Sequence, residues 1–244
     1  MSYPIDHAWF VSARADASLD ESIRRQRAVP IAPPTGRRLL HHDAVPNRIC
    51  VYLGGNLGRE RRYVDEARAL GRQMADDGVG LVYGGACLGL MGVLADAVLD
   101  AGGEAIGVVP RQLSYQELAH DSLTELHEVA TMHERKHRMQ ELSQGCIALP
   151  GGFGTLEEIF EALTWSQKPV EIHDKPCVFA DIDGYYDHLF RFLDTAAQRG
   201  LLLRENRALA RRTTSAVEAL REVQRLWAAA AADIDRAISA YAEV

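Results

Sequence analysis

The sequence predicts an α/β fold: a Rossmann-like, doubly wound, mostly parallel sheet with helices on both faces. Three observations carry this. From residue 48 onward, short apolar runs alternate with stretches of helical periodicity. Helices between successive strands imply right-handed crossovers and therefore parallel pairing. Paired glycines follow three of the apolar runs, at Gly54-Gly55, Gly84-Gly85 and Gly151-Gly152. In such sheets ligands bind beyond the carboxyl ends of the strands, near the switch point, and all three glycine turns fall on that edge.

The first strand is Ile49-Cys50-Val51-Tyr52-Leu53, and Tyr63, Ala67, Leu70 and Met74 then recur at helical spacing. Gly80-Leu81-Val82-Tyr83 is the second strand. A helix of small and apolar residues runs from Leu90 to Asp100 and is closed by Gly102-Gly103. Ala105 to Val109 is the third strand, ended by Pro110. Leu123 to Val129 alternates weakly, as an edge strand would, and Thr131 to Ser143 reads as a helix. Cys146-Ile147-Ala148-Leu149 is a buried strand that leads through a glycine-rich turn into the helical run Ile159 to Trp165. Pro176 to Ala180 is another strand and Tyr185 to Arg199 another helix. A polar strand near Leu209 to Thr213 precedes an alanine-rich helix, or two, from Ser215 to the end. Residues 1–47 differ. The Pro/Arg stretch Pro30 to Arg38 lacks periodicity, so this segment is expected to be a partly irregular extension with one helix near Leu19 to Arg27. Residues 48–244 are expected to form one domain.

A formal net charge of −7 lacks the electrostatic footprint of a general nucleic-acid binder. No apolar run approaches the roughly 20 residues needed to cross a bilayer. The segment Met1 to His7 lacks the layout of a secretory signal, so the cytoplasm is the expected compartment. Cys50, Cys87, Cys146 and Cys177 are far apart, with no Cys-x-x-Cys spacing. Three lie in apolar runs, where a thiol is usually a small buried hydrophobe.

The chemistry concentrates in Pro150-Gly151-Gly152-Phe153-Gly154-Thr155-Leu156-Glu157-Glu158. A glycine turn between a strand and a helix aims backbone N–H groups and the positive end of a helix dipole at one point, which suits a phosphate. Glu158, one turn on, is placed to work beside whatever the phosphate carries. Glu157 points about 100° away around the helix and is expected to be solvated, whereas Glu161 shares the face of Glu158. The competing reading is a capping box, with Thr155 as cap and Glu158 bonding back to it. The glycines weigh against it, since a cap alone does not need them.

Neither a G-x-G-x-x-G fingerprint after the first strand nor a G-x-x-x-x-G-K-[S/T] loop occurs, so dinucleotide redox chemistry and P-loop hydrolysis lose their usual support. His133-Glu134-Arg135-Lys136-His137 matches the zinc-protease pattern H-E-x-x-H. A zinc site would leave the glycine turns unexplained, would draw its third ligand from His173 or His188, and would set two cations beside a dication. Read as cations at the start of a helix facing the glycine turns, Arg135 and Lys136 can reach a phosphate or a developing negative charge. Lys136, Lys168 and Lys175 are the only lysines, and none sits in the apolar pattern of a Schiff-base lysine. No metal or cofactor is expected.

Three motifs occurring in order resemble the LOG ("Lonely guy") family of cytokinin riboside 5′-monophosphate phosphoribohydrolases, often mislabelled lysine decarboxylases. They are Tyr83-Gly84-Gly85 with Gly89-Leu90-Met91-Gly92, Met132-His133-Glu134-Arg135-Lys136, and the 150–158 segment. The likeness extends over roughly residues 48–225 and includes Asp183-Gly184-Tyr185-Tyr186-Asp187. It implies hydrolysis of the N-glycosidic bond of AMP or an N6-modified AMP without a cofactor. It implies Arg135 and Glu158 as the catalytic pair, and Gly151, Gly152, Gly154 and Thr155 around the phosphate. Lys136, Gly55, Asn56, Gly85 and Met132 complete the expected nucleotide site. A homodimer sharing its active site, or a higher oligomer, is implied as well. The alternative is a nucleotide or molybdenum-cofactor carrier of the same fold that binds without cleaving. Asn56, Ala86 and Cys87 stand where the family commonly has serine or glycine, and the loop from Gln167 to Ile172 reads as about two residues longer than usual.

Overall fold

The computed structural model describes residues 48–111, 119–167 and 175–242, and of residues 231 and 233–242 the backbone alone. The expected N-terminal helix, the Pro/Arg stretch, most of the 167–172 loop and His173 lie outside the described residues.

Seven described strands form one sheet. They are β1 (Arg48–Tyr52), β2 (Gly80–Tyr83), β3 (Ala105–Pro110), β4 (Glu125–Val129), β5 (Cys146–Ala148), β6 (Cys177–Ala180) and β7 (Ala210–Thr213). Their order is β4-β3-β2-β1-β5-β6-β7, and every neighbouring pair is parallel. The helices are α1 (Arg61–Asp76), α2 (Gly89–Asp100), α3 (Met132–Glu141), α4 (Phe153–Ser166), α5 (Asp187–Gln198), the short α6 (Arg204–Arg207) and α7 (Ala216–Ala242).

Side chains alternate across each strand and so build two cores. Ile49, Val51 and Leu53 pack with Ala67, Leu70 and Met74 of α1, with Leu90 and Leu94 of α2, and with Leu220 and Val223 of α7. Cys50 and Tyr52 face the other way, toward Met139 of α3, Ile159 and Leu163 of α4, and Phe190 of α5. The strand order reverses at β1: β2, β3 and β4 run outward on one side, and β5, β6 and β7 on the other. The crevice between the ends of β1 and β5 is therefore the switch point. Gly54-Gly55 and Gly151-Gly152 both open onto it.

The expected helix over 185–199 starts two residues late. Ile182–Gly184 forms a 3₁₀ turn first, with Asp183 in the left-handed region at φ 53°. The alanine-rich tail is one helix. Cys50, Cys146 and Cys177 are buried free thiols lying side by side on neighbouring strands, whereas Cys87 is exposed. No described helix is long and apolar enough to cross a membrane.

Candidate active site

The geometry at the start of α4 follows from its sequence. Gly152 is the N-cap residue, at φ −95° and ψ −147°, and no side chain caps the helix. The first backbone bond is donated by the Leu156 N–H to the Gly152 carbonyl, at 3.1 Å. The N–H groups of Phe153, Gly154 and Thr155 therefore precede the helical ladder. A Cβ added to Gly152 or Gly154 would meet nothing within 4 Å, so both glycines leave open space in front of those amides. Gly151 is constrained differently: a Cβ there would sit 2.1 Å from Oγ1 of Thr155. Thr155 is 3% exposed and lies within the first turn of α4, which removes the capping-box reading.

A side-chain cap closely related to a capping box sits on α3 instead, with Glu134 reaching one residue past the N-cap. Oγ1 of Thr131 accepts from the Glu134 N–H at 3.1 Å, and Oε2 of Glu134 accepts from the Ala130 N–H at 2.8 Å. Glu134 of the H-E-x-x-H pattern thus fixes the start of a helix. His133 is exposed, and His137 pairs with Glu141 at 3.2 Å and meets the Trp165 ring edge-on. No group of three His, Cys, Asp or Glu among the described residues is arranged to hold a metal.

The cap directs Arg135 inward. Its Nε donates to the Val108 carbonyl at 3.0 Å, one Nη donates to the Gly84 carbonyl at 3.4 Å, and the other donates to Oε1 of Glu158 at 3.2 Å. The two side chains are only 13% and 10% exposed. Burial pushes the Glu158 carboxyl up to about 7; Arg135 pulls it down, Glu157 pushes it up, Lys136 pulls it down and Glu161 pushes it up.

Arg135 and Glu158 line one cavity of about 420 Å³ together with Gly55, Asn56, Gly151, Gly152, Gly154 and Thr155. Three other expected residues lie outside its lining. Lys136 points away from the cavity toward α4, where Glu157 and Oε2 of Glu161 (2.8 Å) hold it. Burial opposes its charge, but these hydrogen bonds outweigh burial and raise its pKa. One residue along a helix is a rotation of about 100°, so consecutive cations cannot serve one cleft. Glu157, about 100° around the helix from Glu158, goes to Lys136, and so does Glu161, which therefore does not join Glu158 in the cavity as its place on the helix suggested. Met132 is 48% exposed at the start of α3. Gly85, at φ +74°, packs on Val109 and Gly107, so its glycine serves the turn.

The structure also brings in residues that motif reading did not place. A Cβ on Gly84 would lie 2.2 Å from the Arg135 guanidinium, so this glycine leaves room for the arginine. Tyr63, Met91 and Tyr185 line the cavity. The signal for Met91 and Tyr185 was present in Gly-Leu-Met-Gly and Asp-Gly-Tyr-Tyr; nothing in the spacing singled out Tyr63.

A glycine turn and a buried arginine–glutamate pair lining one cavity at the switch point of a parallel sheet define a class: Rossmann-like α/β proteins with an ionisable carboxyl in the crevice. The sequence profile of a family described as "Possible lysine decarboxylase" matches residues 91–223. Among curated relatives, the probable cytokinin riboside 5′-monophosphate phosphoribohydrolase LOGL1 of Oryza sativa subsp. japonica is 41% identical over 197 residues, which cover 81% of this chain and 84% of that protein. The cytokinin riboside 5′-monophosphate phosphoribohydrolase LOG3 of Arabidopsis thaliana is 44% identical over 155 residues, 64% of this chain and 71% of that one. The chain belongs to this family, the LOG family. Among solved structures, the molybdenum cofactor carrier protein of Chlamydomonas reinhardtii superposes with a TM-score of 0.56 at 24% identity, over 74% of this chain and 98% of that one. The molybdenum cofactor binding protein of Rippkaea orientalis gives 0.56 at 21%, over 73% and 96%. At these identities the likeness establishes the fold.

Proposed function

We propose that the protein hydrolyses the N-glycosidic bond of adenine-type nucleoside 5′-monophosphates, AMP or an N6-modified AMP, to free base and ribose 5-phosphate. The hydroxyl of water goes to the anomeric carbon and its proton to the departing base. One observation carries the reading: the Glu158 carboxyl, 10% exposed and 3.2 Å from Arg135, lines the same cavity as the amide-bearing turn at 151–155. Cleavage passes through an oxocarbenium-like state with positive charge on the sugar. An ionised Glu158, fixed where water is scarce, stabilises that charge and orients the ribose hydroxyls or the attacking water. Arg135 favours the ionised form and holds the carboxylate in place. The phosphate grip supplies binding energy remote from the bond that breaks.

The test is incubation with AMP and with isopentenyl-AMP, followed by chromatography of the released base. Equimolar base and ribose 5-phosphate are expected. Binding without turnover would favour a carrier, a reading that otherwise rests on fold likeness.

We also read the protein as a cytoplasmic homodimer whose subunits share the cavity. Supporting this, Phe153 is 94% exposed beside the amide turn, and Leu57 and Leu88 are about half exposed near the mouth. Light scattering coupled to size exclusion tests it, with twice the 26.9 kDa chain mass expected.

A further inference from the structure

The amides at 151–155 can face an anion only if the neighbouring carbonyl oxygens are turned away, because their lone pairs would repel it. In this turn three consecutive carbonyls are each held by a donor. Tyr186 Oη donates to the Leu149 carbonyl at 2.6 Å, the Gly54 N–H to that of Pro150 at 3.3 Å, and Tyr185 Oη to that of Gly151 at 2.7 Å. Two of the three donors come from adjacent tyrosines on the loop after β6.

That loop is itself anchored. Oδ1 of Asp181 accepts from the Tyr186 N–H at 2.7 Å, and Arg212 holds its other oxygen at 3.0 Å. Asp183, at φ 53°, is the only described non-glycine residue with positive φ, and it pairs with Arg62 at 2.5 Å. A backbone conformation of this kind is unfavourable for a residue other than glycine and persists where its surroundings enforce it. The result is to deliver the Tyr185 ring, edge-on to Tyr63 at 5.8 Å between centroids, onto the rim of the cavity.

We propose that Tyr185 is a positioning residue for the phosphate: by holding the Gly151 carbonyl, it sets the direction of the Gly152 N–H. The peptide is trans, so this carbonyl and the following N–H point in opposite senses. Fixing one aims the other. Gly151 has no side chain to hold its peptide plane, and it stays glycine because Thr155 occupies the Cβ position. The hydroxyl of Tyr185 supplies that restraint from outside. This rests on the phosphate reading of residues 151–155.

The experiment is Tyr185→Phe, which removes one oxygen and keeps the ring against Tyr63. Calorimetry with ribose 5-phosphate and with ribose is paired with hydrolysis of AMP. A weakening of ribose 5-phosphate binding by about tenfold is expected, the usual worth of one hydrogen bond, with KM for AMP raised in step and kcat within about threefold. Binding of ribose should not change. Ribose 5-phosphate affinity equal to that of the unsubstituted protein would overturn the proposal. So would equal losses for ribose and ribose 5-phosphate, or a fall in kcat with KM unchanged, since each of these marks a general structural role. If the unsubstituted protein binds ribose 5-phosphate but releases no base, the hydrolase reading fails and the binding comparison still decides the role of Tyr185.

Discussion

Replacing Glu158 by glutamine should abolish hydrolysis and stabilise the fold, with a stabilisation that grows with pH. The carboxyl is pushed up to about 7 from its ordinary 4.5 by burial, so the folded state binds its proton more tightly than the unfolded chain does. Between those two values the folded state carries more protons, and stability falls as pH rises. A gap of about 2.5 units at about 1.36 kcal/mol each gives a loss of about 3 kcal/mol, complete above pH 7 and mostly absent at pH 5. Glutamine mimics the protonated acid and does not titrate. Relative to the unsubstituted protein, Glu158→Gln should therefore gain about 1 kcal/mol at pH 5 and about 3 kcal/mol at pH 8. For a domain of this size that corresponds to a Tm difference of about 5–10 °C at pH 8 and a few degrees at most at pH 5. The assay is thermal unfolding followed by circular dichroism at both pH values, beside base release from AMP. A Tm difference independent of pH, or a variant less stable at pH 8, would refute the claim that an ionised, buried Glu158 is what the site stores.

Three further outcomes follow from the same geometry. In the unsubstituted enzyme, kcat/KM for AMP should rise with pH through about 7 as Glu158 ionises, and a profile flat between pH 5 and 8 would contradict its role as a carboxylate. Gly154→Ala places a methyl in the open space before the α4 amides, so ribose 5-phosphate binding by calorimetry should weaken at least tenfold while Tm changes by no more than a few degrees. Gly84→Ala drives a Cβ into the Arg135 guanidinium, which must leave its bond with Glu158; kcat should fall by about a hundredfold or more, with ribose 5-phosphate affinity retained.

Much of the fold was legible because β1, β2, β3, β5 and β6 are short, mostly apolar runs and the core helices repeat at 3.6 residues, whereas β4 and β7 are largely polar edge strands. The place of Glu158 and the glycine turn in the crevice followed from sheet topology, since both come directly after β5 beside β1, and Arg135 reaches the same crevice from α3 past the Val108 and Gly84 carbonyls. What the sequence could not show was how adjacent residues divide between faces across two packed helices. Lys136 reads as a partner of Arg135 by proximity in sequence, yet Glu157 and Glu161 draw it to the other side. Gly85 and Gly84 are equivalent in a motif and distinct in space: one accommodates a turn, the other a guanidinium. Thr155 and Glu158 satisfy the spacing of a capping box, but the helix starts at Phe153, so the threonine is already inside it.

The division between Arg135 and Lys136 has a consequence for how the site is held. Helices α3 and α4 are joined by two ionic contacts one residue apart, Arg135 to Glu158 inside the cavity and Lys136 to Glu157 and Glu161 outside it. The outer contact keeps the helices together whatever the protonation state of Glu158, so the inner pair can loosen when that carboxyl takes up a proton without parting α3 from α4. It also sets a lysine charge beside two carboxylates that would otherwise push the Glu158 carboxyl still higher. An acid that burial pushes up to about 7 owes its accessible ionised form to its direct arginine partner and to the lysine of the outer layer. The three acidic residues of α4 therefore act as one electrostatic unit, of which only Glu158 faces the cavity.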